Sequence, residues 1–204
     1  MKRICPKKVL WLLAMVVPAC TNAQQDYQTA VMAYRDSVNV VFGDTATSIL
    51  PDSAALHFHG LDYFPINAEY RVTARFRKIE NAEARAMKTS GARTPLYQPY
   101  GTLHFKLQGK KCVLTLYRYA DPQRPYLANH LLLAFTDQTS GQTTYGGGRY
   151  LEYTTDDVKK KMVVDFNYCF NPYCAYTTGY SCVIPPSENY LDLKIEAGVK
   201  KFHD

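Results

Sequence analysis

The spacing of apolar residues changes period along the chain, and that change predicts the elements. Tyr27, Val31, Tyr34, Val38 and Val41 recur every three or four positions, which sets them in one stripe of a helix running to Phe42, and Gly43 supplies its stop. Residues 51–56 follow as a short helical turn before the aromatic segment Leu61-Asp62-Tyr63-Phe64-Pro65. From Tyr70 the period is two: Tyr70, Val72, Ala74 and Phe76 take one face of a strand, and Arg71, Thr73, Arg75 and Arg77 take the other. Leu103, Phe105 and Leu107 alternate with Thr102, His104 and Lys106. Beyond Gly109 the chain returns from Cys112 to Tyr119, so these two segments read as a hairpin. Leu131 to Phe135 is continuously apolar, as a strand buried on both faces requires, and Arg149 to Thr155, Met162 to Asn167 and Leu191 to Ile195 complete the set. Glu83-Ala84-Arg85-Ala86-Met87 has helical propensity but lies between strands, and the two signals conflict.

Short strands separated by Gly, Pro, Asn and Asp turns predict a mostly β protein, an antiparallel β-sandwich or barrel with an N-terminal α-helix packed on it. No linker, repeat or block of like charge interrupts residues 24–204, which are expected to form a single domain.

Residues 1–23 have the parts of an export signal: a basic start (Lys2, Arg3, Lys7, Lys8), an apolar run from Val9 to Val17 too short to span a bilayer, and small residues beyond. Cleavage after Ala23 would release a soluble periplasmic or secreted protein, whereas cleavage before Cys20 would leave a lipid-anchored one; both readings stand. Four of the basic residues lie in this segment, so the remaining chain carries +2 of the formal +6, and a nucleic-acid partner is not implied. Lys159-Lys160-Lys161 reads as a solvated turn. Contact with a membrane is expected only through a lipid at Cys20.

The familiar enzyme signatures are absent: there is no Gly-x-Ser-x-Gly elbow, phosphate loop or His-Glu-x-x-His helix. Gly146-Gly147-Gly148 reads as a turn or bulge opening a strand, and His57-Phe58-His59 as histidines flanking a buried Phe58; neither is taken as a metal or cofactor site. Among Cys112, Cys169, Cys174 and Cys182, a Cys174–Cys182 bridge is the leading reading for an exported chain and would contribute about 2.5 kcal/mol by loop entropy. Free buried thiols, a cysteine metal site and a reactive Cys174 are the alternatives.

Several motifs in fixed order carry a resemblance. Leu61-Asp62-Tyr63-Phe64-Pro65-Ile66-Asn67, Phe135-Thr136-Asp137-Gln138-Thr139-Ser140-Gly141, Thr144-Tyr145-Gly146-Gly147-Gly148-Arg149-Tyr150-Leu151, Asp165-Phe166-Asn167 and Asn171-Pro172-Tyr173-Cys174-Ala175-Tyr176 form one set with Ser181-Cys182, Pro185-Pro186, Glu188-Asn189 and Ile195-Glu196-Ala197-Gly198. This set resembles the bacterial and archaeal domain-of-unknown-function family 1684 over nearly all of the chain beyond the signal. Val183 departs from the Pro that often follows the cysteine there. The resemblance implies a name and a residue set but no activity.

Polar residues inside these apolar motifs need partners. Arg149, Asp165, Asn167, Asn171, Glu188 and Asn189, with Tyr145 at their edge, combine a cation, two carboxylates and three amides, enough to fix a small polar ligand. The competing reading, which these Asn-Pro, Pro-Pro and Glu-Asn sequences favour, is hydrogen-bonded bracing of the C-terminal loops. The expected function is a non-enzymatic envelope module binding a small ligand, glycan or partner protein. The alternative is a hydrolase using Asp165 and Glu188 as acid/base groups near Arg149. The discriminator is whether those three converge on an open concavity.

Overall fold

The computed structural model describes residues 20–121 and 123–203; residues 1–19 of the expected export signal and the side chain of Cys20 lie outside the described residues. Two helices, α1 (Cys20–Gly43) and α2 (Asp52–Leu56), precede the strands β1 (Arg71–Lys78), β2 (Arg85–Ala86), β3 (Leu96–Leu107), β4 (Lys110–Tyr119), β5 (His130–Asp137), β6 (Arg149–Thr154), β7 (Lys161–Asp165) and β8 (Tyr190–Leu191). The helical stripe packs as its spacing requires, with Val31 and Phe42 buried and Tyr34 and Val38 half-buried. It closes on Phe42, and Val41 is exposed. Among the described residues no helix is long and apolar enough to cross a membrane.

All the strands join one sheet in the order β6-β5-β4-β3-β1-β7, with β2 on β3 and β8 beside β5. Every pairing is antiparallel except β5 with β8. Of the two forms the sequence left open, the chain makes a single sheet curled into a half-barrel. The long strand β3 carries a bend: its register on β4 shifts between Pro99 and Gly101. A Cβ at Gly101 would strike the Phe76 ring and lie 2.7 Å from the Arg77 carbonyl oxygen, so only glycine lets β1 approach at the bulge.

The concave face holds the main core, where Leu103, Leu114, Leu116, Leu131, Leu133, Phe135, Val164, Phe166 and Ile195 are shut off from solvent. Half of the convex face has a second, aromatic core, in which Tyr97, Tyr117, Tyr119, Leu132, Ala134 and Tyr150 lie under Met87 and Val183. β5 is therefore buried on both sides, as its unbroken apolar run predicts. Segment 83–87 gives up its helical propensity because Arg85 and Ala86 pair with Tyr97 and Leu96 of β3.

The sheet has one split and one seam. β4 and β5 pair only at Tyr117 with Leu132 and Arg118 with Leu131, and diverge beyond. β6 and β7, the two ends of the strand order, do not pair; they face each other across a gap lined by Leu151, Glu152 and Tyr153 on one side and Val163 and Asp165 on the other. α1 lies along this seam. Its first turns are tied to β7 through Tyr27 and Asp165, while at its end Phe42 packs edge-on to Tyr176 at 4.7 Å and against Phe58 at 5.7 Å.

Candidate functional site

The sequence-predicted site residues fall in separate places, and most are braces. Arg149 opens β6 and is wholly buried: it donates to the Asp137 carboxylate at 2.9 Å, to the carbonyl of Ile195 at 2.8 Å and to that of Ala197. Asp137 in turn accepts from the backbone and hydroxyl of Thr139 at 2.7 and 2.6 Å and from the Ile195 N–H at 3.3 Å. The pair ties the end of β5 and the start of β6 to segment 195–197. The glycines before it form a turn: Gly148 has φ +84°, and a Cβ there would lie 2.6 Å from the Phe135 carbonyl oxygen.

Asn189 fills the split between β4 and β5. Its Oδ1 accepts from the Thr115 N–H at 2.7 Å, and its Nδ2 donates to the carbonyls of Thr115 and Ala134 at 2.9 and 2.8 Å. One side-chain amide thus supplies hydrogen bonds that a continuous ladder would have made between those strands. Its neighbour Glu188 points outward and accepts from the Tyr117 hydroxyl at 2.6 Å and from Arg85. These donors hold its carboxyl below the usual glutamate range, against the upward push of partial burial.

Asp165 and Asn167 do meet. Asp165 accepts from the backbone and side-chain N–H groups of Asn167 at 3.0 and 2.9 Å and from the Tyr27 hydroxyl at 2.9 Å, with Arg71 at 3.5 Å. Asn167 also donates to the carbonyl of Asn67 at 2.8 Å and accepts from its N–H at 3.0 Å. Burial first, and then the bond to Asp165, push the Tyr27 phenol far above its ordinary value. Asp165, Arg149 and Glu188 share no hydrogen-bond partner, so the convergence a hydrolase needs is not formed by these three. Cys174 and Cys182 are disulfide-bonded with Cα atoms 6.2 Å apart, and Cys112 and Cys169 are buried thiols. Tyr145 packs against the cluster around Phe42 and Tyr176, and its hydroxyl reaches the Cys174 carbonyl at 3.5 Å.

Asn171, like Arg149 at its Nε, keeps one buried polar atom without a partner, and it also borders a cavity. Its Nδ2 donates to the Lys200 carbonyl at 2.9 Å, but its Oδ1 is buried with no hydrogen-bond partner. Such an orphan calls for an explanation. It lines a cavity of about 370 Å³ between α1 and the segment following β7, with walls of Val38, Val41, Phe42, Leu61, Phe170 and Val199. Tyr34, Tyr63, Tyr173 and Tyr176 bring phenol groups to the same walls. Burial raises the Tyr63 and Tyr176 phenols well above their usual range and pushes Tyr34 up to about 12, so all three are neutral donors at physiological pH. Burial likewise raises the Cys169 thiol, which lines the cavity as an unreactive apolar group.

Two other hollows share walls with this cavity. The seam itself opens to about 390 Å³ and shares Tyr34, Glu152 and Phe170 with it. On the other side of Phe170 a hollow of about 270 Å³ is lined by Arg93, Tyr97, His130, Tyr150, Glu152 and Tyr173. There His130 Nε2 stands 3.2 Å from the Glu152 carboxylate, diagonally across β5 and β6. Glu152 therefore sits where the three hollows meet. Sequence reasoning missed this cleft because β6 and β7 are both edges and α1 is far from either in sequence; Tyr34 and Tyr63 were visible only as apolar pattern. Among the described residues no group of three His, Cys, Asp or Glu side chains converges as a metal site would need.

Comparison with known proteins gives a family and a fold without an activity. Residues 56–200 match the profile described as "Protein of unknown function (DUF1684)". The solution NMR structure of an uncharacterised protein of Haloarcula marismortui is 34% identical, covers 88% of this chain and 96% of its own, and superposes with a TM-score of 0.66. No curated protein matches.

Proposed function

Because this chain belongs to the DUF1684 family, whose description carries no activity, we propose a function from the cleft: a non-enzymatic envelope protein that binds a small, largely apolar molecule carrying a hydrogen-bond donor. The observation that carries this reading is a mostly apolar and aromatic cavity of about 370 Å³ whose lining includes Asn171, the residue whose Oδ1 is buried without a hydrogen-bond partner. That volume is within the range of small-molecule sites, and a few polar groups, here Asn171, Glu152 and Ser37, among mostly apolar walls are their usual composition. A ligand N–H or O–H that a small rotation of the Asn171 amide let in would satisfy that atom, and Tyr34, Tyr63 and Tyr176 bring phenols to the same walls.

Export supplies the setting. The basic, apolar and small-residue segments before Gln24 support an exported protein, soluble after cleavage at Ala23 or lipid-anchored at Cys20.

The test is a thermal-shift and native mass-spectrometry screen of aromatic and aliphatic alcohols and amines against the parent and two variants. Val38→Trp fills the cavity, while Val38→Ala leaves it open. The expected result is a compound that stabilises the parent and the alanine variant but not the tryptophan variant. A compound set that shifts none of the three, or shifts all three alike, would overturn the reading.

A second reading has one specific observation behind it. The His130–Glu152 pair at 3.2 Å is the only His–carboxylate pair among the described residues and lies at the cleft, so a hydrolase would draw its acid/base group from here. Hydrolysis of an ester, phosphate or glycoside reporter by the parent, abolished in His130→Gln, would favour it over binding alone.

A further inference from the structure

The half of the convex face left uncovered by the aromatic core is bare and carries charge of one sign. Arg75 and Arg77 of β1, Lys106 of β3, Lys111 of β4 and Lys161 of β7 are all exposed on it. Arg75 lies directly opposite Lys161 on one side and His104 on the other, and Lys106 lies opposite Lys111. Like charges facing each other across a sheet are destabilising. Partial desolvation, then Arg77 and Arg75, hold the His104 imidazole below its ordinary value, as expected beside so much positive charge.

Four cations elsewhere on the surface stand beside carboxylates: Arg71 with Asp165, Arg85 with Glu188, Lys110 with Asp192 and Lys200 with Asp62. Among the described residues none of Arg75, Arg77, Lys106, Lys111 and Lys161 has such a partner. A shallow hollow of about 640 Å³ between them is lined by no carboxylate. Val113, 44% exposed, lines that hollow among the cations, and Val163, 43% exposed, follows Lys161 two residues on along β7, where it also borders the seam.

We propose that this face docks onto a bilayer surface rich in anionic phospholipid, with the cations on headgroup phosphates and Val113 and Val163 against the interface. The face is broad and basic with apolar spots, the chemistry that recognises anionic headgroups. The position of the N-terminus favours a bilayer over other polyanions. Arg71, which opens β1, stacks over the Tyr27 ring at 5.1 Å, and Cys20 is about 10 Å up the helix axis from Tyr27. A lipid on Cys20 would therefore tether the chain beside this face, and two weak membrane signals together make a stable attachment. The tethering half of the argument rests on the envelope reading above; the charge half does not.

The experiment is co-sedimentation of the full chain with vesicles of mixed phosphatidylcholine and phosphatidylglycerol, and with phosphatidylcholine alone, at low and high salt. The parent is expected to partition onto the anionic vesicles at least ~10-fold more strongly, and high salt is expected to remove the difference. Arg75→Gln/Lys111→Gln/Lys161→Gln is expected to lose that preference by ~20-fold or more, while Lys88→Gln/Arg124→Gln/Lys194→Gln, an equal change of net charge off the face, holds it within ~2-fold. The face variant also relieves like-charge pairs, so its melting temperature stays at or above the parent's; should it fall, Lys111→Gln/Lys161→Gln replaces it. Equal binding of the parent to both vesicle types, equal loss in the two triple variants, or tighter capture by duplex DNA or polyglutamate than by anionic vesicles at the same salt would each overturn the proposal. None of these outcomes bears on the cleft, whose ligand is tested separately.

Discussion

Arg149 and Asp137 form an ion pair at 2.9 Å in which neither side chain retains any solvent exposure. Their remaining bonds go to Thr139 and to the backbone of Ile195, Ala197 and Val199, so the pair is a joint between strands and C-terminal segment and has no open side. Replacing Arg149 by Met strands the buried carboxylate and is expected to cost about 3–5 kcal/mol in urea unfolding. The double variant Arg149→Met/Asp137→Leu should recover part of that loss, since no charge is left unpaired. A single variant as stable as the parent would show that the pair is not a brace.

Asn189→Leu is expected to destabilise by about 2–4 kcal/mol, because it leaves the Thr115 N–H and the Thr115 and Ala134 carbonyls buried without their partner. Amide exchange should rise at Thr115, beside the split, and stay low at Leu116 and Tyr117 nearer the β4–β5 pairing.

Those two residues show how much was legible. Sequence pattern found the helix, the hairpin of β3 and β4, and the doubly buried β5, because period reports which face of an element is wet. It also flagged Arg149, Asn167 and Asn189 as polar groups needing partners. It could not say that the partners are backbone groups, since those come from segments far away in sequence. Leu191 to Ile195 makes the point in detail. Its alternation is real, with Leu191, Leu193 and Ile195 buried, yet only Tyr190–Leu191 pairs as a strand. Beyond it the backbone bonds go to Gln138, Arg149 and Asp137 instead of a neighbouring strand. The cleft was invisible for a related reason: which two strands are left as edges is a property of the completed sheet.

Reducing the Cys174–Cys182 bond is expected to lower unfolding stability by about 2–3 kcal/mol. In the native protein without reductant an alkylating reagent should label neither of these, and should reach the buried Cys112 and Cys169 only on unfolding. Free labelling of Cys174 and Cys182 in the oxidised protein would contradict the bond.

The protein should weaken in alkali. Burial pushes the phenols of Tyr34 and Tyr97 up to about 12 from 10. A group whose folded value is raised contributes its full stability below the unfolded value and loses it as pH climbs through the folded one. The urea midpoint is therefore expected to fall between about pH 10 and pH 12 as these tyrosines are drawn toward ionisation in the unfolded chain. Tyr97→Phe should flatten that fall, read alongside tyrosinate absorbance, and an unchanged slope would remove Tyr97 from the account.

The wedge of Asn189 between β4 and β5 also bears on the order in which the molecule is made. Until residues 187–197 have been synthesised, the two strands have nothing to span their divergence and Arg149 lacks the carbonyls of Ile195 and Ala197. The earlier helices and hairpins can form locally, but the cooperative unit cannot close around them. The nascent chain thus stays open until residues 187–197 are made and commits to its tertiary structure only afterwards, which leaves an interval in which chaperones meet the earlier segments unfolded.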